Sequence, residues 1–540
     1  MLTFTDEQNA AIVFDGSMVL TACPGSGKTT VMVEKIRKEL NQLADYKGII
    51  GITFTVKASS ELKKKCKSDG FNTKSSFFGT IDSFCLIEIV YPFLYSIHNN
   101  IPKNLDTMSY FDLSDDDKLG LPDLSIAGNL ITIDNFKGYS EAIYNLISKG
   151  ILLLEANGII ALKVLESSKS CRRYIKSRYT AVYVDEYQDS SESQHALFLY
   201  LHSLDLKCIS VGDIQQSIYA FRGSNPKYLN DLINNEEFKA LSITINHRCH
   251  PSIINYASRL YNEKCHLLDT DDNRVIYWNL DGTPAQCAIT VNNSIEKLIE
   301  NDKSLVLKDI AVLVRNNSSL DVIKNNFNLP LRIYEDVTLE KINSTPAIIS
   351  NSLLRFYFDH SSLITDVMNT ILKNINENDI NFSLISNKIR DCRKEVPNNI
   401  IQYINSLFHL LRIQPLSNIE EREVSKILTD DYLMKQYKPI DDNEVQVMTL
   451  HKAKGLEFKV VYHLDLYDWV MPKRVFIKGN YDVIYENYEQ CLNLHYVGIT
   501  RAIEWCVLVT SNLRFGYQGK VVNGQPSQFI SLPTLANLRR

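Results

Sequence analysis

No stretch of about 18 uninterrupted apolar residues, the length a bilayer-crossing helix needs, occurs in the 540-residue chain. The most apolar segment, 150–165, is broken by Glu155, Asn157 and Lys163. The opening Met1-Leu2-Thr3-Phe4-Thr5-Asp6 has neither a basic start nor an apolar run, so no secretory signal is expected. The 11 cysteines are odd in number and scattered without a repeated Cys-x-x-Cys. That pattern argues against a disulfide framework and for reduced thiols in the cytoplasm. His247, Cys249, His250, Cys265 and His266 crowd together but fit no standard zinc spacing. A surplus of positive charge is missing as well: 58 Lys and Arg stand against 63 Asp and Glu, a net charge of -5. A polycation is thereby excluded, and any nucleic-acid site has to be a local basic groove.

What is present is a globular composition, with 45% hydrophobic and 22% charged residues. At roughly 100–200 residues per domain, the chain has room for several cores. Short runs rich in Val and Ile predict strands at 18–21, 49–54, 181–185, 208–211, 241–245, 310–314, 445–450, 460–464 and 506–510. Helical patterns at 29–43, 193–202 and 251–261 lie between them. This alternation predicts an α/β fold with parallel sheets. Two segments break the rhythm. Residues 85–178 have helical apolar spacing interrupted by Asp115-Asp116-Asp117, and residues 336–442 are helix-like and rich in Asn and Ser. Both are expected to be helical insertions.

Residues 22–29 read Ala-Cys-Pro-Gly-Ser-Gly-Lys-Thr, between a predicted strand and a predicted helix. Gly25 and Gly27 permit a backbone curl whose N–H groups face phosphate oxygens. The helix start adds its dipole, Lys28 can reach the β/γ-phosphates, and Thr29 can hold Mg²⁺. Ala22 stands where the strict phosphate-loop pattern has Gly. Further on, Val182-Tyr183-Val184-Asp185-Glu186 is an apolar run ending in two acids. Asp185 can sit beside Mg²⁺, and Glu186 can deprotonate a water. A small-molecule kinase could use the same loop, so these two elements alone leave the acceptor open.

The run Asp185-Glu186-Tyr187-Gln188-Asp189 resembles motif II of superfamily 1 helicases of the UvrD/Rep type, and other motifs of that family follow its order. Gln8 resembles the adenine-reading Q motif, 53–58 motif Ia, 79–84 motif Ib, 211–223 motif III, 246–248 motif IV, 449–458 motif V and 496–502 motif VI. The resemblance implies two RecA-like P-loop NTPase domains, each with a short helical insertion, in a 1A/1B/2A/2B arrangement. The implied boundaries are 1–84 and 179–240 for 1A, 85–178 for 1B, 241–335 and 443–540 for 2A, and 336–442 for a reduced 2B. It implies ATP with Mg²⁺ held by the loop 22–29 (Ala22, Cys23, Pro24, Gly25, Ser26, Gly27, Lys28, Thr29), Thr30, Asp185, Gln8 and Glu457. Glu186 is implied as the base and Gln216 as the γ-phosphate sensor. Arg248 and Arg501 are implied as arginine fingers from the second domain. DNA contacts are implied at Phe54, Thr80, Tyr219, Phe221, Arg222, Thr449 and His451, with aromatic rings as base platforms.

Three residues depart from the family pattern. His247 stands for the usual Tyr, Asp82 for the usual His, and Thr30 for an Arg of many relatives. More narrowly, the short chain, 79–84 and 174–179 resemble the B subunits of Gabija anti-phage defence systems. That family implies a hetero-oligomer with a nuclease subunit carrying ABC-type ATPase and Toprim domains. The alternatives weighed are a free-standing 3′–5′ repair helicase and a DNA-sensing subunit with little unwinding. The paired arginines and ordered DNA motifs argue against the kinase.

Overall fold

The computed structural model describes residues 3–540 apart from 104, 127, 221–222, 343, 376–380, 476–481 and 517–518, and omits the side chain of 373. The chain forms two compact units, Met1–Cys249 and His250–Arg540. Among the described residues, no helix is long and apolar enough to cross a membrane.

The strands of the first unit are β1 (Met18–Ala22), β2 (Gly48–Ile52), β3 (Phe77–Gly79), β4 (Asp106–Met108), β5 (Ile151–Leu153), β6 (Tyr179–Val184), β7 (Lys207–Gly212) and β8 (Lys239–Ile243). Six of them form one parallel sheet in the order β3-β2-β6-β7-β1-β8. The inner strands are apolar at consecutive positions because helices cover both faces. Met18 and Leu20 pack with Val31 and Ile36 on one face, while Val19 packs with Ile50 and Val182 on the other. This sheet includes β8, whose Lys239 pairs with Met18. The first unit, to which β8 belongs, runs to Cys249.

Residues 85–178 enter between β3 and β6. They are not wholly helical, since β4 and β5 pair in parallel within them. Their apolar residues, among them Phe136, Ile143 and Ile160, join the same core as β2 and β6.

In the second unit the described strands are β9 (Val275–Leu280), β10 (Ile310–Val314), β11 (Leu331–Ile333), β12 (Val445–Thr449), β13 (Phe458–His463), the short pair β14 (Arg474–Val475) and β15 (Ile484–Tyr485), β16 (Ala502–Ser511), and a second short pair, β17 (Leu513–Phe515) and β18 (Val521–Asn523). The main sheet is again parallel, in the order β11-β12-β10-β13-β16-β9. The second insertion has its own core, which includes Leu353, Phe356, Ile389, Leu407, Phe408 and Ile427. Its exit is fastened to the sheet by Arg332, 3% exposed, which donates to Glu444 at 2.9 Å and to the carbonyls of Lys435, Lys438 and Pro439.

Candidate active site

The phosphate loop leaves β1, the acids follow β6, and Asp213 follows β7, which ends at Gly212. Because β6, β7 and β1 are neighbours, their carboxyl ends bring these segments together, where open α/β sheets bind ligands. Gly25 and Gly27 have φ of +69° and +79°, the left-handed region that glycine favours. Gly27 is the N-cap of the helix Lys28–Asn41, with no side chain bonded to its first N–H groups. Lys28 Nζ is buried without a hydrogen-bond partner and lies 4.0 Å from Glu186 Oε1. An orphaned ammonium at an uncapped helix start suits a phosphate group.

Thr29 and Asp185 offer oxygen donors, which suit Mg²⁺ completed by phosphate oxygens and water. Among the described residues, no three His, Cys, Asp or Glu side chains gather as a separate metal site. In the loop, Ala22, Pro24 and Ser26 are buried and Thr30 is exposed. The Cys23 thiol donates to the Thr244 carbonyl, and burial, then the Asp213 charge, push its pKa up to about 11.

Glu186 has a φ of +54°, and its N–H donates to Asp185 Oδ1 at 3.0 Å. Two residues unassigned by sequence reasoning join it. Gln188, fully buried, donates to Glu186 Oε2 at 2.5 Å and accepts the Asp213 N–H at 3.0 Å. Asp213 accepts from Gln216 Nε2 at 2.7 Å. Burial raises the Asp213 carboxyl, against the opposing pull of Lys28. The line Glu186–Gln188–Asp213–Gln216 thus connects the expected base to the expected γ-phosphate sensor. Gly212 makes room for it, since a Cβ there would lie 2.6 Å from Gln188 Oε1. The sequence signal is present for Asp213, which follows an apolar strand directly, where a buried polar side chain needs a partner, whereas Gln188 lies four residues beyond the end of β6.

Arg248 was expected from the second domain. It lies within the first unit, where a Cβ on Gly25 would be 2.5 Å from Arg248 Cβ. The neighbouring His247 N–H donates to the Gly25 carbonyl at 3.0 Å. Gln8, expected to read adenine, has its amide engaged within the chain. It donates to the Ser26 carbonyl at 2.9 Å and accepts the Thr5 N–H at 2.9 Å, closing a capping box. In the second unit Arg501 is 1% exposed and bonds the Val497 and Leu456 carbonyls. Glu457 is exposed in the same segment.

Of the expected DNA residues, Phe54 and Tyr219 are half-buried and stack on each other, with ring centroids 4.7 Å apart. Thr80 caps the helix Ile81–Phe84 by accepting the Ser83 N–H. Thr449 ends β12 and His451 is half-buried in the turn after it. Phe221 and Arg222 lie outside the described residues. Burial raises the Asp82 carboxyl, an Asn157 hydrogen bond opposes this, and Glu155 adds to it. The inserted region thus contributes the groups that surround Asp82.

The model of the UvrD/REP helicase N-terminal domain matches residues 4–123 and 144–239, and that of the UvrD-like helicase C-terminal domain matches 334–511. The chain belongs to the UvrD/Rep helicase family. It is accordingly an ATP-hydrolysing DNA helicase by family, with two RecA-like domains. The Gabija protein GajB of Bacillus cereus is 29% identical, over 93% of this chain and 94% of its own. The ATP-dependent DNA helicase Rep of Buchnera aphidicola subsp. Schizaphis graminum is 25% identical, over 97% and 95%. The ATP-dependent DNA helicase PcrA of Staphylococcus aureus is 23% identical, over 97% and 85%.

Proposed function

We propose that this UvrD-like chain is the DNA-sensing, ATP-driven subunit of an anti-phage nuclease complex in the cytoplasm. The observation that carries the reading is the economy of the match to GajB. That alignment takes 524 positions for 93% of the chain. The match to Rep takes 646, more than the 540 residues present here, so Rep carries segments that this chain lacks. The partner implied is a nuclease subunit with ABC-type ATPase and Toprim domains, in a hetero-oligomer.

In the proposed cycle, Lys28 and the loop N–H groups bind the phosphates of ATP, and Thr29 and Asp185 hold Mg²⁺. The ion, when bound, neutralises charge on the β/γ-phosphates. Glu186 accepts the proton of the attacking water, held in orientation by Gln188. Arg248 and Arg501 supply guanidinium charge to the transferring phosphoryl group, and Gln216 relays the state of the γ-phosphate through Asp213. Gln8 and Glu457 serve the nucleoside end. Single-stranded DNA stacks at Phe54, Tyr219 and Phe221, with Thr80, Arg222, Thr449 and His451 along the backbone. Movement is 3′–5′, as in the family.

The test is strand separation on a tailed duplex, followed by nuclease output in the presence of the partner. We expect poor separation by the chain alone and a nuclease response that Lys28→Ala removes. Processive unwinding by the isolated chain, without effect on any nuclease, would instead support a free-standing repair helicase.

A further inference from the structure

The helix Val56–Lys67 begins immediately after Phe54, with Thr55 as its N-cap. Ser59, Leu62 and Cys66 are buried and define its inward face. At about 100° per residue, Lys57, Lys64 and Lys67 fall on one outward arc with Ser60, and no acid interrupts it. All three lysines are exposed. The helix's acid, Glu61, lies to one side and is occupied by Lys65 at 2.8 Å. The far end is pinned, because Arg37 donates to the carbonyls of Lys65, Cys66 and Ser68. The lysines therefore stand on a fixed rod, in a chain whose net charge is -5. Ten residues of helix span about 15 Å, the length of several stacked nucleotides at about 3.4 Å each.

We propose that Lys57, Lys64 and Lys67 form an electrostatic extension of the DNA path, binding the phosphates of single-stranded DNA beyond the bases at Phe54. This rests on the DNA-binding reading above and carries the surface from Lys57, within the segment 53–58, to Lys64 and Lys67, which lie outside the motif residues. Ammonium groups on flexible stems follow a backbone of any sequence, so the stripe lengthens the footprint without adding base preference. It favours strands long enough to reach it.

The test uses the full chain and labelled oligothymidine of about 20 and about 6 nucleotides, near the range of single-strand site sizes. Each lost phosphate contact removes about 0.7 from the slope of log affinity against log salt. The triple variant Lys57→Gln/Lys64→Gln/Lys67→Gln should therefore lower the slope on the long strand by about 2, and hardly change it on the short one. Lys65→Gln, on the Glu61 side, should leave both slopes alone. An unchanged slope on the long strand in the triple variant overturns the proposal, as does an equal loss on both strands. If the wild type binds neither strand, the DNA-binding reading falls along with it.

Discussion

Replacing Gly25 by Ala should damage both the fold and the chemistry, and the two losses can be separated. Gly25 has φ +69°, and a Cβ there would lie 2.5 Å from both Arg248 Cβ and Asn246 Oδ1. The left-handed conformation costs a non-glycine residue about 1–2 kcal/mol. The contact costs more, because Asn246 Oδ1 accepts the N–H groups of Arg248 at 2.8 Å and Cys249 at 3.0 Å. Pushing Asn246 aside weakens both bonds, at roughly 0.5–1.5 kcal/mol each. The sum is about 2–5 kcal/mol, which lowers the melting temperature of a unit of this size by roughly 4–20 °C. Arg248 moves with its backbone, so ATP turnover should fall at least about tenfold, equivalent to about 1.4 kcal/mol of barrier. Gly70→Ala is the control, since Gly70 has φ +75° and nothing within 4 Å of its Cβ position. It should show the conformational cost alone and keep its turnover. Calorimetry and DNA-stimulated turnover on both variants decide the matter. A Gly25→Ala protein that melts and turns over like Gly70→Ala would refute the link from loop glycine to Arg248.

Lys28→Ala should weaken nucleotide binding, whereas Glu186→Gln should bind nucleotide and hydrolyse it slowly; titration and turnover assays on each distinguish the two routes. Phe54→Ala should cost about 1–3 kcal/mol of single-strand affinity, measured by fluorescence anisotropy, and an unchanged affinity would make the Phe54–Tyr219 stack a packing contact only. Hydrogen bonds from Lys452 and Lys341 hold Asp336 down at about 2. Its stabilising contribution is therefore complete above the unfolded value near 3.9 and is lost as pH falls through about 2. Asp336→Asn should flatten this acid limb in thermal melts. Arg332→Met leaves the buried Glu444 with Lys435 as its remaining ion-pair partner, and should destabilise the second unit by about 3–5 kcal/mol in denaturant titration.

Local spacing made much of this legible. The loop 22–29 announces itself because its glycines, lysine and threonine act within one turn of chain. Continuous Val and Ile runs mark β6, β7, β10 and β12, since strands covered on both faces have no polar side to show. The strands β3 and β11 were not anticipated, being three residues long. The strand β9 lies at a sheet edge and is partly exposed, so its run Val-Ile-Tyr-Trp-Asn-Leu lacks the same signal. The placement of β8 depends on pairing with β1, more than two hundred residues earlier, which no local pattern carries. Arg248 falls in the first unit for the same reason. The partners of Gln8 were hidden because one amide could face a ligand or a neighbouring carbonyl, and only folded geometry shows that Ser26 occupies it.

The position of β1 between β7 and β8 has a consequence for biosynthesis. The strand emerges early but both its neighbours are made late, so it stays unpaired until β7, ending at residue 212, leaves the ribosome, and its second edge stays open until β8 follows. At about 5–20 residues per second, that interval is on the order of 10–40 s, during which an apolar strand has two open edges. The second unit delays its closure further, because β16, which ends at Ser511, sits between β13 and β9. A nascent chain halted before residue 502 would leave β9 without the strand it pairs with. Chaperone dependence should accordingly be concentrated in the growing chain, and truncation that removes β16 should cost the second sheet two strands, β16 and the β9 that pairs with it, rather than one.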